Sequence, residues 1–170
     1  MMTQGYSFLT SELIRSCPLI ECIVIHHFFF GEDEESIFEA LASRQRIQEF
    51  STTGHWSNRP EKGLSWRIDE AIDRLLSKWK FLHTIDFRIL SGPQIETEES
   101  TIPPAIPILN HALRSVVLTE PDLDEIELSS ILKSSAKSLF TLKILCPTSR
   151  LDRPGLYRTL TECTNPGLKS

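Results

Sequence analysis

Two groups of residues in this 170-residue chain are of types that bind metals or carry out catalysis, and their spacing decides what each can do. His26 and His27 stand side by side, with Cys17 and Cys22 upstream. Thiols and imidazoles are zinc ligands, but adjacent histidines on a helix point about 100° apart and cannot share an ion from one face. Pro18 separates the two cysteines, and neither pair has Cys-x-x-Cys or His-Glu-x-x-His spacing. They read as buried thiols and a partly buried histidine, so no metal and no cofactor is expected. His55 lies in a polar, aromatic-bearing run with Trp56, Ser57 and Asn58, yet no carboxylate or nucleophile stands at a telling distance from it. The chain has no Gly-x-Ser-x-Gly elbow and no phosphate-cradling loop among its seven glycines. No catalytic residue is assigned. An enzyme whose groups assemble from distant positions stays as the third functional reading.

A third group could contact phosphate or acidic protein. Arg67, Arg74 and Lys78 carry the side-chain types that meet nucleic acid, with Arg59, Lys62 and Lys80 nearby. Asp69, Glu70 and Asp73 oppose them, and with Glu61 they leave a net of only +2 between Arg59 and Lys80. Glu70 and Arg74 are also spaced to pair along a helix. The three basic residues are therefore expected to contact nucleic acid or a protein partner, weakly in the first case. Phe28, Phe29 and Phe30 end an almost wholly apolar run, and with Trp56 they are the expected partner-docking or self-association side chains.

Composition bounds the remaining choices. Forty per cent hydrophobic and 24 per cent charged residues are ordinary for a globular chain, and the length suits one domain that needs no disulfide staples. The net charge of −5 argues against a global nucleic-acid-binding field. Charge is uneven: residues 31–39 and 96–127 are acidic, whereas residues 128–170 carry a net of +5. The apolar run Leu19–Phe30 is 12 residues long, well short of the roughly 20 needed to span a bilayer. With no secretory signal pattern, four scattered cysteines read as reduced thiols of a cytoplasmic protein, not bound to membrane.

These residues must be positioned by elements that the hydrophobic pattern outlines. No internal repeat is visible. A first helical segment is expected from about Leu9 to Phe30, broken at Pro18; its second half reads equally as a buried strand, because Ile23-Val24-Ile25 is β-branched. A second helix is expected from Asp33, with Ile37, Phe38, Leu41, Ile47 and Phe50 as its stripe. A polar loop follows over Ser51–Gly63. The clearest helix begins after Ser65, with Ile68, Ile72, Leu75, Leu76 and Trp79 on one face. The period then changes to two over Phe81–Leu90, with a turn at Ser91-Gly92-Pro93 and a return strand at residues 94–98. Beyond the prolines at 103, 104 and 107, two further helices are expected. One has Ile106, Leu109, Leu113, Val116 and Val117 on its buried side, and the other runs from Thr119 through Leu142.

Helix, helix, loop, amphipathic helix and hairpin, over about residues 7–98, resembles the order of a winged-helix domain. That resemblance implies a recognition helix bearing Arg67, Arg74 and Lys78, and a wing at the hairpin. The expected fold is thus mostly α with a small β-hairpin: a winged-helix-like part at residues 1–100, a helical pair at 101–146, and an extended basic tail at 147–170. A generic helical bundle is the alternative. The leading functional expectation is a non-catalytic interaction subunit or adaptor of a larger complex, with a winged-helix DNA-binding regulator second. Function does not follow from such an architecture by itself.

Overall fold

Apolar side chains recur along this chain in a step of three followed by a step of two. The triads are Ile20, Ile23, Ile25; Ile47, Phe50, Thr52; Leu82, Ile85, Phe87; Leu113, Val116, Leu118; and Leu139, Leu142, Ile144. In the computed structural model, which describes residues 4–26, 34–53, 66–93 and 106–163, each triad enters and forms one strand. β1 is Cys22–His26, β2 Glu49–Thr53, β4 Thr84–Arg88, β6 Ser115–Thr119 and β7 Thr141–Leu145. They make one five-stranded sheet in the order β1-β2-β4-β6-β7, and every pairing is parallel.

The register is the same at every step. Cys22, Glu49, Thr84, Ser115 and Thr141 stand in one row across the sheet, at intervals of 27, 35, 31 and 26 residues along the chain. The entry to each strand repeats as well. The carbonyl of Glu21 accepts from the N–H groups of Gln48 and Glu49, that of Gln48 from His83 and Thr84, that of His83 from Arg114 and Ser115, and that of Arg114 from Phe140 and Thr141. The exits of the last three strands match too. Ile89, Glu120 and Cys146, each one residue past a strand end, have φ of 57°, 54° and 51°. For residues with a Cβ that conformation costs roughly 1 kcal/mol or more apiece, so tertiary pairing imposes it. Strands paired in chain order, each entered through the same three-then-two apolar step, stack as the units of a solenoid do.

Between strands the chain forms helices. α1 is Gln4–Ser16 and α2 Glu34–Ala42. α3 is Ile68–Glu70, continued by a π-helical stretch Ala71–Leu75 and a 3-10 turn Leu76–Lys78. α4 is Glu125–Leu132 and α5 Arg153–Cys163. Neighbours pack on each other, α1 on α2, α2 on the π-helical stretch, and α4 on α5. A small parallel pair, β3 (Trp66–Arg67) with β5 (Leu90–Ser91), sits beside the main sheet.

The helices and one face of the sheet enclose the core. Phe50 of β2 and Phe87 of β4 lie 5.5 Å apart between ring centroids; Phe50 is 5.1 Å from Trp79 and 5.6 Å from Trp66, and Trp66 is 5.8 Å from Phe38 of α2. The buried indole of Trp79 donates to the Leu41 carbonyl at 3.1 Å, so the largest core side chain also satisfies its polar atom. Thr52 is the polar exception in its triad, and its hydroxyl accepts from the Arg88 N–H at 3.0 Å.

The sheet overturns the mostly α expectation, and both the winged helix and the helical bundle with it. Residues 84–88, read as the first strand of a wing, pair in parallel with β2 and β6 instead of turning back; the expected return strand at 94–98 lies outside the described residues. The open choice at Ile23-Val24-Ile25 resolves to strand. The stripe from Ile37 to Phe50 divides, because the helix stops at Ala42 and Phe50 belongs to β2. Val116 and Val117 belong to a strand, as does Leu142. The long helix expected from Thr119 is the short α4, capped by Asp124 in a reciprocal box with Glu127. Within the segment expected to be an extended tail, residues 153–163 form α5. The repeat that the sequence hid is the organising feature of the fold.

Candidate protein-docking face

Alternation along each strand sends one set of side chains into the core and the other to the opposite face. On the core side, Ile23, Phe50, Thr52, Ile85, Phe87, Val116 and Leu118 are buried. The opposite face carries three rows. The first is Cys22, Glu49, Thr84, Ser115 and Thr141. The second is Val24, Ser51, Asp86, Val117 and Lys143. In the third, Arg88, Thr119 and Leu145 stand side by side. None of these thirteen side chains is buried. An all-parallel sheet is normally covered on both faces, so a face open over five strands is a feature to explain.

The face is built largely of small side chains, with charges at set places. Glu49 and Asp86 stand on β2 and β4; Arg88 and Lys143 stand on β4 and β7. Arg88 reaches Glu120 at 3.5 Å, while its buried Nε finds no acceptor among the described residues. Partial desolvation and the Glu49 carboxylate push the Cys22 thiol above its usual range, which leaves it protonated and a poor nucleophile.

Asp86 is the most unusual group here. Burial raises its carboxyl above the ordinary range, and Lys143 across the sheet pulls it partly back. A carboxyl whose folded value lies above its unfolded one binds its proton more tightly in the native state, so the stability of the fold falls as pH rises through that interval. Glu49 and Arg88 stand on the same face at neighbouring register positions, and Lys143 opposes the effect. Asp86→Asn is therefore expected to raise Tm at neutral pH, with the gain over the parent shrinking as the pH falls through that interval. Thermal denaturation of both chains across pH 3–8 (about the range in which carboxyls titrate) checks this; a lower Tm at pH 7 would refute it.

The basic residues singled out from the sequence sit elsewhere. Arg67 and Arg74 belong to the β3–α3 segment and already hold carboxylates. Arg67 pairs with Asp69 at 2.8 Å and Glu70 at 3.8 Å, and Arg74 pairs with Glu35 at 2.6 Å while its guanidinium stacks 4.0 Å over the Phe38 ring. Lys78, at the end of the 3-10 turn, is exposed. The structure thus groups these three on the helical layer, away from the open sheet face. Phe28, Phe29, Phe30 and Trp56 lie outside the described residues, as do His27 and His55. Among the described residues no three His, Cys, Asp or Glu side chains are placed to hold a metal ion. No described helix is long and apolar enough to cross a membrane. Nothing in the sequence marks out the open face, because its members are ordinary Ser, Thr, Val and single charges; only the recurring apolar triad shows where they fall.

A second polar node supports the sheet from the side. Arg150 donates to the Asp122 carbonyl at 2.8 Å and to the buried Glu127 carboxylate at 2.9 Å. Burial works against the guanidinium's charge, but Glu127, Asp122 and Asp124 together hold it above its ordinary range. The node lies tight against the backbone at Gly92, where an added Cβ would collide with the Glu127 carboxylate.

The chain matches no family model and no curated protein.

Proposed function

We propose that this chain is a non-catalytic protein-interaction module that receives its partner on the uncovered face of the parallel sheet. The observation that carries this reading is the row structure of that face: thirteen side chains from five strands, in unbroken register, none of them buried. Solenoids use extended surfaces of this kind for binding, since each repeat adds one more strand and lengthens every row without changing the scaffold. Small hydroxyl and apolar side chains interleaved with single charges suit a protein surface. They do not suit nucleic acid, whose binding depends on a concentration of cations. All four cysteines are free, which supports a reducing compartment, and we place the protein in the cytoplasm.

Site-specific photo-crosslinking tests the reading. The benzophenone amino acid p-benzoylphenylalanine is placed at Thr84 or Val117 on the open face, and at Lys78 on the helical layer, in the protein expressed in its own cells. A discrete crosslinked species is expected from the two sheet positions and not from Lys78. A species formed from Lys78 alone would transfer the interface to the helices and end this proposal.

A further inference from the structure

Among the described carboxylates that are buried or partly buried, all but one are provided for. Asp69 has Arg67, Glu120 has Arg88, Asp122 has Thr148, Glu125 has Arg158, and Asp124 and Glu127 cap α4 between them. Glu70 has Arg67 as well. Asp86 has neither a hydrogen bond nor an ion pair among the described residues. It stands at the middle of the open face, on the central strand, with Ser51 beside it on β2 and Val117 on β6. Ser51 is short and Val117 is compact and apolar, so the space above Asp86 is bounded on one side by a hydroxyl and on the other by a wall. Lys143 lies in the same row beyond Val117 and acts on Asp86 only through space.

A half-buried carboxylate without a partner is a standing penalty, because burial has removed part of its hydration and nothing in the chain replaces it. A fold gains nothing from such a group at that position; Ser or Thr, which fill the neighbouring places on the face, would serve the sheet better. A cation delivered from outside recovers the penalty and is itself desolvated against Val117, which strengthens the pair.

Resting on the docking reading above, we infer that the partner segment seated on this face carries a lysine or arginine side chain that inserts over Asp86, between Ser51 and Val117, and pairs with its carboxylate. The charges around the position fit this occupant and no anion. Glu49, two residues offset on β2, adds a second negative charge on the open side, while Arg88 is drawn toward Glu120. Asp86 then serves recognition at the expense of stability, which gives it a signature that a purely structural residue lacks: the same substitution stabilises the chain and weakens binding.

The test uses a displayed library of random dodecapeptides as the probe, selected on the full chain. The enriched peptides are expected to share one Lys or Arg. Their affinity should drop about tenfold on Asp86→Asn, the size of a partly desolvated ion pair, and by a similar factor when citrulline or norleucine replaces the shared cation. The two changes together should weaken binding little more than either alone. A consensus without a cation, equal affinity for the parent and Asp86→Asn, or no enrichment at all overturns the inference. If that happens while Thr84 and Val117 still crosslink to the cellular partner, the docking face stands and only the role of Asp86 is lost. If those crosslinks are absent too, the face itself has failed.

Discussion

Phe50→Ala is expected to destabilise the protein by about 3–5 kcal/mol, the range for removing a large aromatic side chain from a packed core. Phe50 is fully buried and touches Trp66, Trp79 and Phe87 at centroid distances of 5.1 to 5.6 Å. It is the ring at which β2, β3, β4 and Trp79, just past the 3-10 turn, meet. Domains of this kind are held by only about 5–15 kcal/mol, so the variant should sit near the limit of folding at 37 °C. Denaturant unfolding followed by tryptophan fluorescence measures the change, and Phe140→Ala is the control. Phe140 is 68% exposed, and its loss should shift stability by no more than about 0.5 kcal/mol. Equal effects from the two would mean that the aromatic cluster does not anchor the sheet. Because a solenoid's stability is a sum of local and nearest-neighbour terms, hydrogen exchange in the Phe50→Ala chain should lose protection first in β1, β2 and β4, with β7 affected least.

Glu127→Ala is the second large effect, expected at about 2–4 kcal/mol from the loss of a helix cap together with a charge-assisted hydrogen bond. The Glu127 side chain accepts from the Asp124 N–H at 2.7 Å and from Arg150 at 2.9 Å, and it is only 4% exposed. Its removal opens the start of α4, frees Arg150, and leaves unfilled space under Gly92. Glu127→Gln keeps the shape and an acceptor for the cap but loses the charge opposite Arg150, so it should cost less than half as much. Thermal unfolding of the two variants decides the point: if Gln is as damaging as Ala, the ion pair and not the cap holds the node.

Part of the core was legible in the residues themselves. The apolar face of α3 and its continuation, with Ile68, Ile72, Leu75, Leu76 and Trp79, was legible because five apolar side chains at helical spacing fit a buried helix face and little else, and all five are buried. The expected pairing of Glu70 with Arg74 was not the one formed: Glu70 meets Arg67, and Arg74 meets Glu35 of α2, a partner 39 residues away that spacing along one helix could not show.

The sheet was not legible, and the reason is a degeneracy of spacing. An apolar pair three residues apart is half of a helical stripe, and it is also the step by which a solenoid repeat turns into its strand. Ile47 and Phe50, Leu113 and Val116, and Leu139 and Leu142 all satisfy both. The next step is two, which a helix cannot place on one face, but it is a single residue per repeat and easily lost among neighbours such as Val117. Unequal repeat lengths of 27, 35, 31 and 26 residues hide the period further, because the segments that connect the strands differ in length while the strand register does not. A strand five residues long states which of its faces is apolar; it does not state which strand lies beside it. That was decided by the neighbours, each of which buries its triad only when the next is stacked in register against it. The same stacking decided the candidate site, since Ser51, Asp86, Val117 and Lys143 become neighbours only once four repeats lie side by side.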